Sequence, residues 1–198
     1  MNDDTVSEPQ RRDVLALPGS LRRGSFNRLL LQAAAANAPP GLRVEVYDEL
    51  ASVPLFSEDV EAETVPAGVE RLRERVEQAD AVLIATPEYN QSIPGVLKNA
   101  IDWLSRPPRE VLIGKPMAVI GATAGRWGTR LAQSHLRHVL YATEALVMPQ
   151  PSLFVAGASN LFDGAGRLVD EQTAQSLREL LAAFDSWIRR TRVEALEA

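Results

Sequence analysis

The spacing of apolar residues along the chain switches repeatedly between the short or unbroken runs of strands and the three-to-four-residue spacing of helices. Val14 to Leu17 is a short apolar run that reads as a buried strand, stopped at Pro18-Gly19 where the backbone must turn sharply. A helix is expected from about Phe26 to Asn37, then an alternating strand over Leu42 to Tyr47 between Pro39-Pro40-Gly41 and Asp48. A long loop with Pro54 and Phe56 leads to a helix from about Ala67 to Gln78, with Val69, Leu72 and Val76 on one face. Ala81 to Ala85 is continuously apolar, as a central parallel strand covered on both faces should be. The next helix starts near Pro94, with Leu97, Ile101 and Leu104 as its stripe, Ser92 as its expected cap and Pro94 in its first turn. Pro116 to Ile120 predicts a strand, Trp127 to Tyr141 a helix, Ala145 to Met148 a last strand and about Asp170 to Arg192 a last helix.

Strict alternation of strand and helix predicts α/β architecture, a parallel sheet with helices on both faces. Five such strands suit a flavodoxin-like doubly wound sheet of order 2-1-3-4-5, whose ligand lies at the carboxyl ends of the strands. The loops after the first, third and fourth strands are then expected along one edge. No internal repeat or linker interrupts the pattern, so residues 13-198 read as a single domain and residues 1-12 as a mobile polar tail.

Composition narrows the chemistry. The chain has no Cys, which removes disulfides, thiolate metal sites and a Cys nucleophile and fits a reducing, cytoplasmic setting. His135 and His138 sit three apart on a predicted helix and read as a solvated or packed pair, with no metal expected. A formal charge of −5 with no basic stripe argues against a nucleic-acid partner, and the apolar stretches are too short to cross a bilayer. Residues 1-12 lack the apolar segment of a signal peptide.

The first turn carries the sharpest signal. Gly19-Ser-Leu-Arg-Arg-Gly-Ser-Phe-Asn27 crowds Ser20, Arg22, Ser25 and Asn27 between a strand and a helix, so hydroxyls, an amide and a guanidinium converge where free N–H groups and the helix dipole favour an anion. The outer glycines have Walker A spacing, but Ser25 stands where the Lys belongs, and no G-x-G-x-x-G follows the strand. The residues suit one phosphomonoester, a mononucleotide rather than a dinucleotide. The same residues also read as a turn that caps its own helix.

Thr86 to Gly95 and Gly121 to Thr129 punctuate the third and fourth strands with Gly, Pro and small polar residues, which lets main-chain N–H groups approach a flat ligand. Together with the first turn, Pro87-Glu-Tyr-Asn90, the run from Pro94 to Leu104 and Gly121-Ala-Thr-Ala-Gly125 resemble the NADPH-dependent FMN reductase family, in its chromate and quinone reductase branch. The resemblance spans about residues 13 to 190. It implies that Ser20, Arg22, Ser25 and Asn27 hold the FMN phosphate beside Phe26, with Arg23 able to share the role of Arg22. It further implies that Pro87, Glu88, Tyr89 and Asn90 lie against the isoalloxazine ring and that Thr123 and Gly125 approach from the other side. Trp127 would border the substrate pocket or pack at the start of its helix. Asn99 and Asp102 read as structural.

The resemblance implies an FMN oxidoreductase that takes hydride from NADPH or NADH and passes it to a small-molecule electron acceptor, a quinone or else chromate, azo or nitro compounds. In such an enzyme the flavin performs the chemistry and the protein binds and orients it, which fits the absence of a G-x-S-x-G signature. A flavodoxin-type electron carrier without NAD(P)H turnover shares the fold, and a phosphate-binding hydrolase or transferase is a third reading. The resemblance also implies a homodimer or homotetramer, with the helices after the second and third loops as interface candidates.

Overall fold

The computed structural model describes residues 11–197, with side chains as far as residue 191. In chain order the elements are β1 (Arg12–Pro18), α1 (Phe26–Ala36), β2 (Leu42–Val46), α2 (Glu58–Glu63), α3 (Ala67–Gln78) and β3 (Ala81–Ala85). They continue with α4 (Gly95–Leu104), β4 (Pro116–Ala122), α5 (Arg130–Tyr141), β5 (Leu146–Val147), β6 (Leu153–Val155) and α6 (Glu171–Glu197). The strands form one parallel sheet in the order β2-β1-β3-β4-β5, with β6 also paired to β4. The architecture is the flavodoxin-like one that the alternation of elements predicts.

Strand pleating divides the core in two. Val14 and Ala16 of β1 face a core shared with Leu30 and Leu31 of α1 and with Leu177, Phe184 and Ile188 of α6. Leu15 and Leu17 point the opposite way, against Leu72 and Val76 of α3, Leu97 and Ile101 of α4 and Leu136 of α5. Because both faces of β1, β3 and β4 are covered, these strands carry no polar side chain along their central stretch, and the chain can become polar only where it leaves them. That places the polar loops at the strand ends.

Three expectations are corrected. The last strand is not one run over 145 to 148 but two pieces on the same neighbour: β5 pairs with Pro116 and Met117, and β6 with Ile120 to Ala122. Pro149 and Pro151 fall between them, and with no N–H to give they interrupt the ladder. The long loop after β2 contains α2 and a 3-10 turn at Leu50–Ser52, and Asn99 fixes it by accepting the Phe56 N–H (2.7 Å) and donating to Pro54 O (2.8 Å). The tail expected over residues 1-12 falls outside the described residues up to residue 10, whereas Arg12 opens β1.

Arg12 also ties the sheet to the last helix. Its Nε donates to Asp185 Oδ1 of α6 at 2.8 Å, and its Nη2 donates to the same oxygen, with 14% and 11% of the two side chains exposed. Arg189 reaches the other carboxylate oxygen at 3.1 Å. Removing one member of so buried a pair leaves an uncompensated charge. Asp185→Ala is expected to lower the unfolding free energy by about 3 kcal/mol in urea titrations, whereas Arg43→Ala, whose pair with Asp13 is largely exposed, should cost under about 1 kcal/mol.

Hydrogen bonds from Arg43, Arg109 and Arg167 hold the carboxyls of Asp13, Glu77 and Asp163 below their ordinary values. A carboxyl depressed in the folded state favours folding above its unfolded pKa and loses that contribution as pH falls through the folded value. Stability followed by circular dichroism should therefore be level near neutrality and decline below about pH 4.5, the ordinary value for Glu.

Candidate functional site

At the carboxyl edge of the sheet, the loops after β1, β3 and β4 are stitched together by main-chain bonds that extend the ladder past the strands. Gly19 N–H donates to Ala85 O (2.8 Å), Thr86 N–H to Ile120 O (3.0 Å) and Thr123 N–H to Val155 O (3.0 Å). A Cβ on Gly19 would sit 3.1 Å from Leu97 Cδ2 and 3.2 Å from Ala85 O, so a side chain there would crowd the first loop against the second. A Cβ on Gly121 would overlap Thr129 Oγ1 and stand 2.5 Å from Thr86 O, so the third loop is closed down in the same way.

In the first loop, Ser25 occupies the N-cap position of α1 in an extended conformation, yet its side chain makes no capping hydrogen bond. The first-turn N–H groups of α1 thus keep their donor capacity, together with the positive end of the helix dipole. Ser20 Oγ accepts the Arg22 N–H at 3.3 Å and lies 3.4 Å from the Tyr89 hydroxyl, which links the first loop to the second. The Arg22 guanidinium stacks 5.4 Å from the Phe26 ring centroid, and neither Arg22 nor Arg23 is paired with a carboxylate among the described residues. An open helix terminus beside two unmatched guanidiniums is chemically suited to a phosphate dianion. The turn therefore does not cap its own helix with a side chain, and the donor set fits the phosphate of FMN.

Asn27 does something other than sequence reasoning assigned to it. Its amide donates to Ala122 O (2.9 Å) and accepts the Ala122 N–H (2.8 Å), and only 2% of the residue is exposed. This reciprocal pair welds the first turn of α1 to the end of β4. What Asn27 offers a ligand is its main-chain N–H.

In the second loop, Pro87 is buried beneath the turn and Thr86 Oγ1 donates to Pro87 O (2.8 Å). Half-buried Glu88 is engaged by the protein itself: its Oε2 accepts the N–H groups of Leu131 (3.0 Å) and Ala132 (3.1 Å) and caps α5. Nothing local in the sequence signals a cap provided from 43 residues away. Tyr89 and Ser92 exchange main-chain hydrogen bonds at 3.0 Å, with Asn90 at φ +49° and Gln91 at φ +62° between them. Two left-handed residues in succession make a tight hairpin turn, strained at Gln91, and such strain concentrates at ligand-binding loops. Ser92, expected as the α4 cap, instead places its Oγ 3.1 Å from His135 Nδ1, and Pro94 takes the N-cap position.

In the third loop, Thr123 Oγ1 accepts the Gly125 N–H at 3.2 Å and Gly125 O accepts the Gly157 N–H at 3.0 Å. Trp127 precedes α5 rather than opening it, and at 70% exposure it does not pack against the core. The structure thus brings Ser20, Arg22, Ser25, Phe26, Tyr89, Asn90, Thr123 and Gly125 to one edge. Pro87, Glu88 and the Asn27 side chain support that edge from below.

A profile of the NADPH-dependent FMN reductase family matches residues 12–160. An NAD(P)H-dependent FMN reductase of Pseudomonas aeruginosa is 48% identical over 179 residues, 90% of this chain and 96% of that protein. A quinone reductase of Escherichia coli is 40% identical over 186 residues, 93% of this chain and 99% of that protein. Among solved structures, the flavoenzyme NAD(P)H:acceptor oxidoreductase FerB of Paracoccus denitrificans superposes with a TM-score of 0.84 at 36% identity, covering 91% of this chain and 98% of that one.

The Glu88 cap makes a measurable statement. Glu88→Ala is expected to cost about 1–2 kcal/mol in urea denaturation, the scale of an N-cap strengthened by the helix dipole, and Glu88→Gln about half of that. Equal stability of all three proteins would show that α5 does not rely on this carboxylate.

Proposed function

Because the chain belongs to the NADPH-dependent FMN reductase family, we propose that it oxidises NAD(P)H and delivers the electrons through FMN to quinones, with chromate, azo and nitro compounds as further acceptors. The observation that carries the assignment of the cofactor seat is the uncapped start of α1 flanked by Arg22 and Arg23. Bound there, FMN supplies hydride acceptance from the reduced nicotinamide and electron transfer to the acceptor.

The contribution of the chain is binding and orientation. The hydroxyls of Ser20 and Ser25, the first-turn N–H groups of Phe26 and Asn27 and the Arg22 guanidinium would hold the phosphate. Phe26 supports Arg22 by stacking, so less side-chain freedom is lost when the phosphate arrives. The turn from Pro87 to Asn90 would run along the isoalloxazine, its main-chain N–H groups fixed in direction by the two left-handed residues. Such fixed donors stabilise negative charge on a reduced ring without reorganising. Thr123 and Gly125 would bound the ring from the third loop.

We further infer one FMN-binding domain, expected over residues 13-198 and extended to Arg12 by β1, that assembles as a homodimer or homotetramer. Leu131 and Tyr141 of α5 are 47% and 80% exposed, more apolar surface than a solvated helix needs, which favours α5 as an interface. Among the described residues no helix is long and apolar enough to cross a membrane.

Anaerobic addition of NADPH to FMN-loaded protein should bleach the yellow colour within seconds to minutes, and persistent colour would favour an electron carrier. Arg22→Ala is expected to weaken FMN binding by about 1.5–3 kcal/mol in fluorescence titrations, with a smaller loss for riboflavin, which lacks the phosphate. Unchanged FMN affinity would remove Arg22 from the seat.

A further inference from the structure

Most described arginines are matched by a carboxylate: Arg28 by Asp48, Arg71 by Glu49, Arg109 by Glu70 and Glu77, for example. Four that are not, Arg22, Arg23, Arg126 and Arg130, lie on the first and third loops or, for Arg130, on the first residue of α5 directly after the third loop, at the carboxyl edge of the sheet. Arg137 also lacks a carboxylate, but it is half-buried and donates to Met148 O, while Arg11 and Arg190 lie toward the opposite edge. In a chain of net charge −5, unmatched cations gathered at one edge make a local attraction for anions that the rest of the surface repels. The first-loop pair is accounted for by the FMN phosphate. The third-loop pair is not.

The two loops differ in a way that defines the second anion. The helix after the first loop starts with unoccupied N–H groups, whereas the N–H groups of Leu131 and Ala132 at the start of α5 already donate to Glu88. The start of α5 thus has two fewer N–H groups to offer an anion, which leaves the guanidiniums of Arg126 and Arg130 as the charged groups there. Both guanidiniums there are seated on aromatic rings, Arg126 at 4.8 Å from the Trp127 centroid and Arg130 at 4.4 Å from that of Phe154, which limits the conformations they must give up. Trp127 remains 70% exposed, so its indole offers a flat surface directly beside a fixed cation.

A flat apolar ring next to a guanidinium matches one part of a pyridine nucleotide, the adenine with a phosphate on the adjacent ribose. Purines stack on indole, and an Arg is the usual group that accommodates a ribose 2′-phosphate. We propose that Trp127 and Arg126, assisted by Arg130, form the adenosine 2′-phosphate subsite of the electron donor and make the enzyme prefer NADPH to NADH. This rests on the NAD(P)H oxidoreductase reading and adds to it the residues that choose between the two donors.

The test has a kinetic arm and a binding arm. Arg126→Gln should raise KM for NADPH about tenfold more than KM for NADH, with the change in KM rather than kcat, the scale of losing one hydrogen bond to a charged group. By calorimetry, the FMN-loaded wild type should bind 2′,5′-ADP about tenfold more tightly than 5′-AMP, Arg126→Gln should abolish that difference, and Trp127→Leu should weaken both ligands alike. The visible spectrum and FMN content of each variant serve as the check that the flavin seat is intact. Equal affinity of the wild type for 2′,5′-ADP and 5′-AMP, or an Arg126→Gln protein that keeps the wild-type preference, would overturn the subsite. If the wild type oxidised neither nucleotide, the oxidoreductase reading would fall, while the calorimetric comparison would still decide on the subsite.

Discussion

The structure depends on the ladder of main-chain hydrogen bonds continuing for one residue beyond the ends of β1, β3 and β4. Three strands buried on both faces have no freedom to present polar side chains along their length, so the chemistry of the chain is pushed into the turns that follow them. The bonds Gly19 to Ala85 and Thr86 to Ile120 then draw those turns together, at an approach that a side chain would crowd at Gly19 and block at Gly121. The Asn27 amide closes the arrangement by linking α1 to the far side of the group at Ala122. The parts of the edge are thus bonded to one another directly, through main chain and the Asn27 amide.

Within that edge, the two helix starts are treated oppositely. The start of α1 is left without a side-chain cap and beside free guanidiniums, while the start of α5 is closed by Glu88. The two helix starts on this edge therefore differ in the donors they leave open, although the loops that lead into them are similar in composition. Glu88 also fastens the strained turn at Asn90 and Gln91 to α5, a helix that packs in the same core as α4, so this loop is held from both ends.

Much of this was legible in the sequence because it follows from local patterns. The unbroken apolar run over Ala81 to Ala85, the helical stripes of α3 and α4 and the Pro-Gly stop after Leu17 each point to one element, and their alternation leads to the sheet order. The crowding of Ser20, Arg22 and Ser25 beside the start of α1 was legible for the same reason, since those residues adjoin that helix in sequence. The failures are long-range. Asn27 is bonded to a residue 95 positions away and Glu88 to helix donors 43 and 44 away, so neither role leaves a trace in its neighbourhood. The last strand was read as one run because periodicity cannot show that β4 has room for two short partners end to end.

Gly121 and Thr129 carry a consequence for how this chain can diverge. The hydroxyl of Thr129, itself fully buried and bonded to Gln133 Nε2 at 3.0 Å, fills the volume that a methyl on residue 121 would need. A shorter residue at 129 alone would not free position 121, because the Thr86 carbonyl oxygen also stands 2.5 Å from where a Cβ would lie, so a side chain there demands that the second loop itself move away.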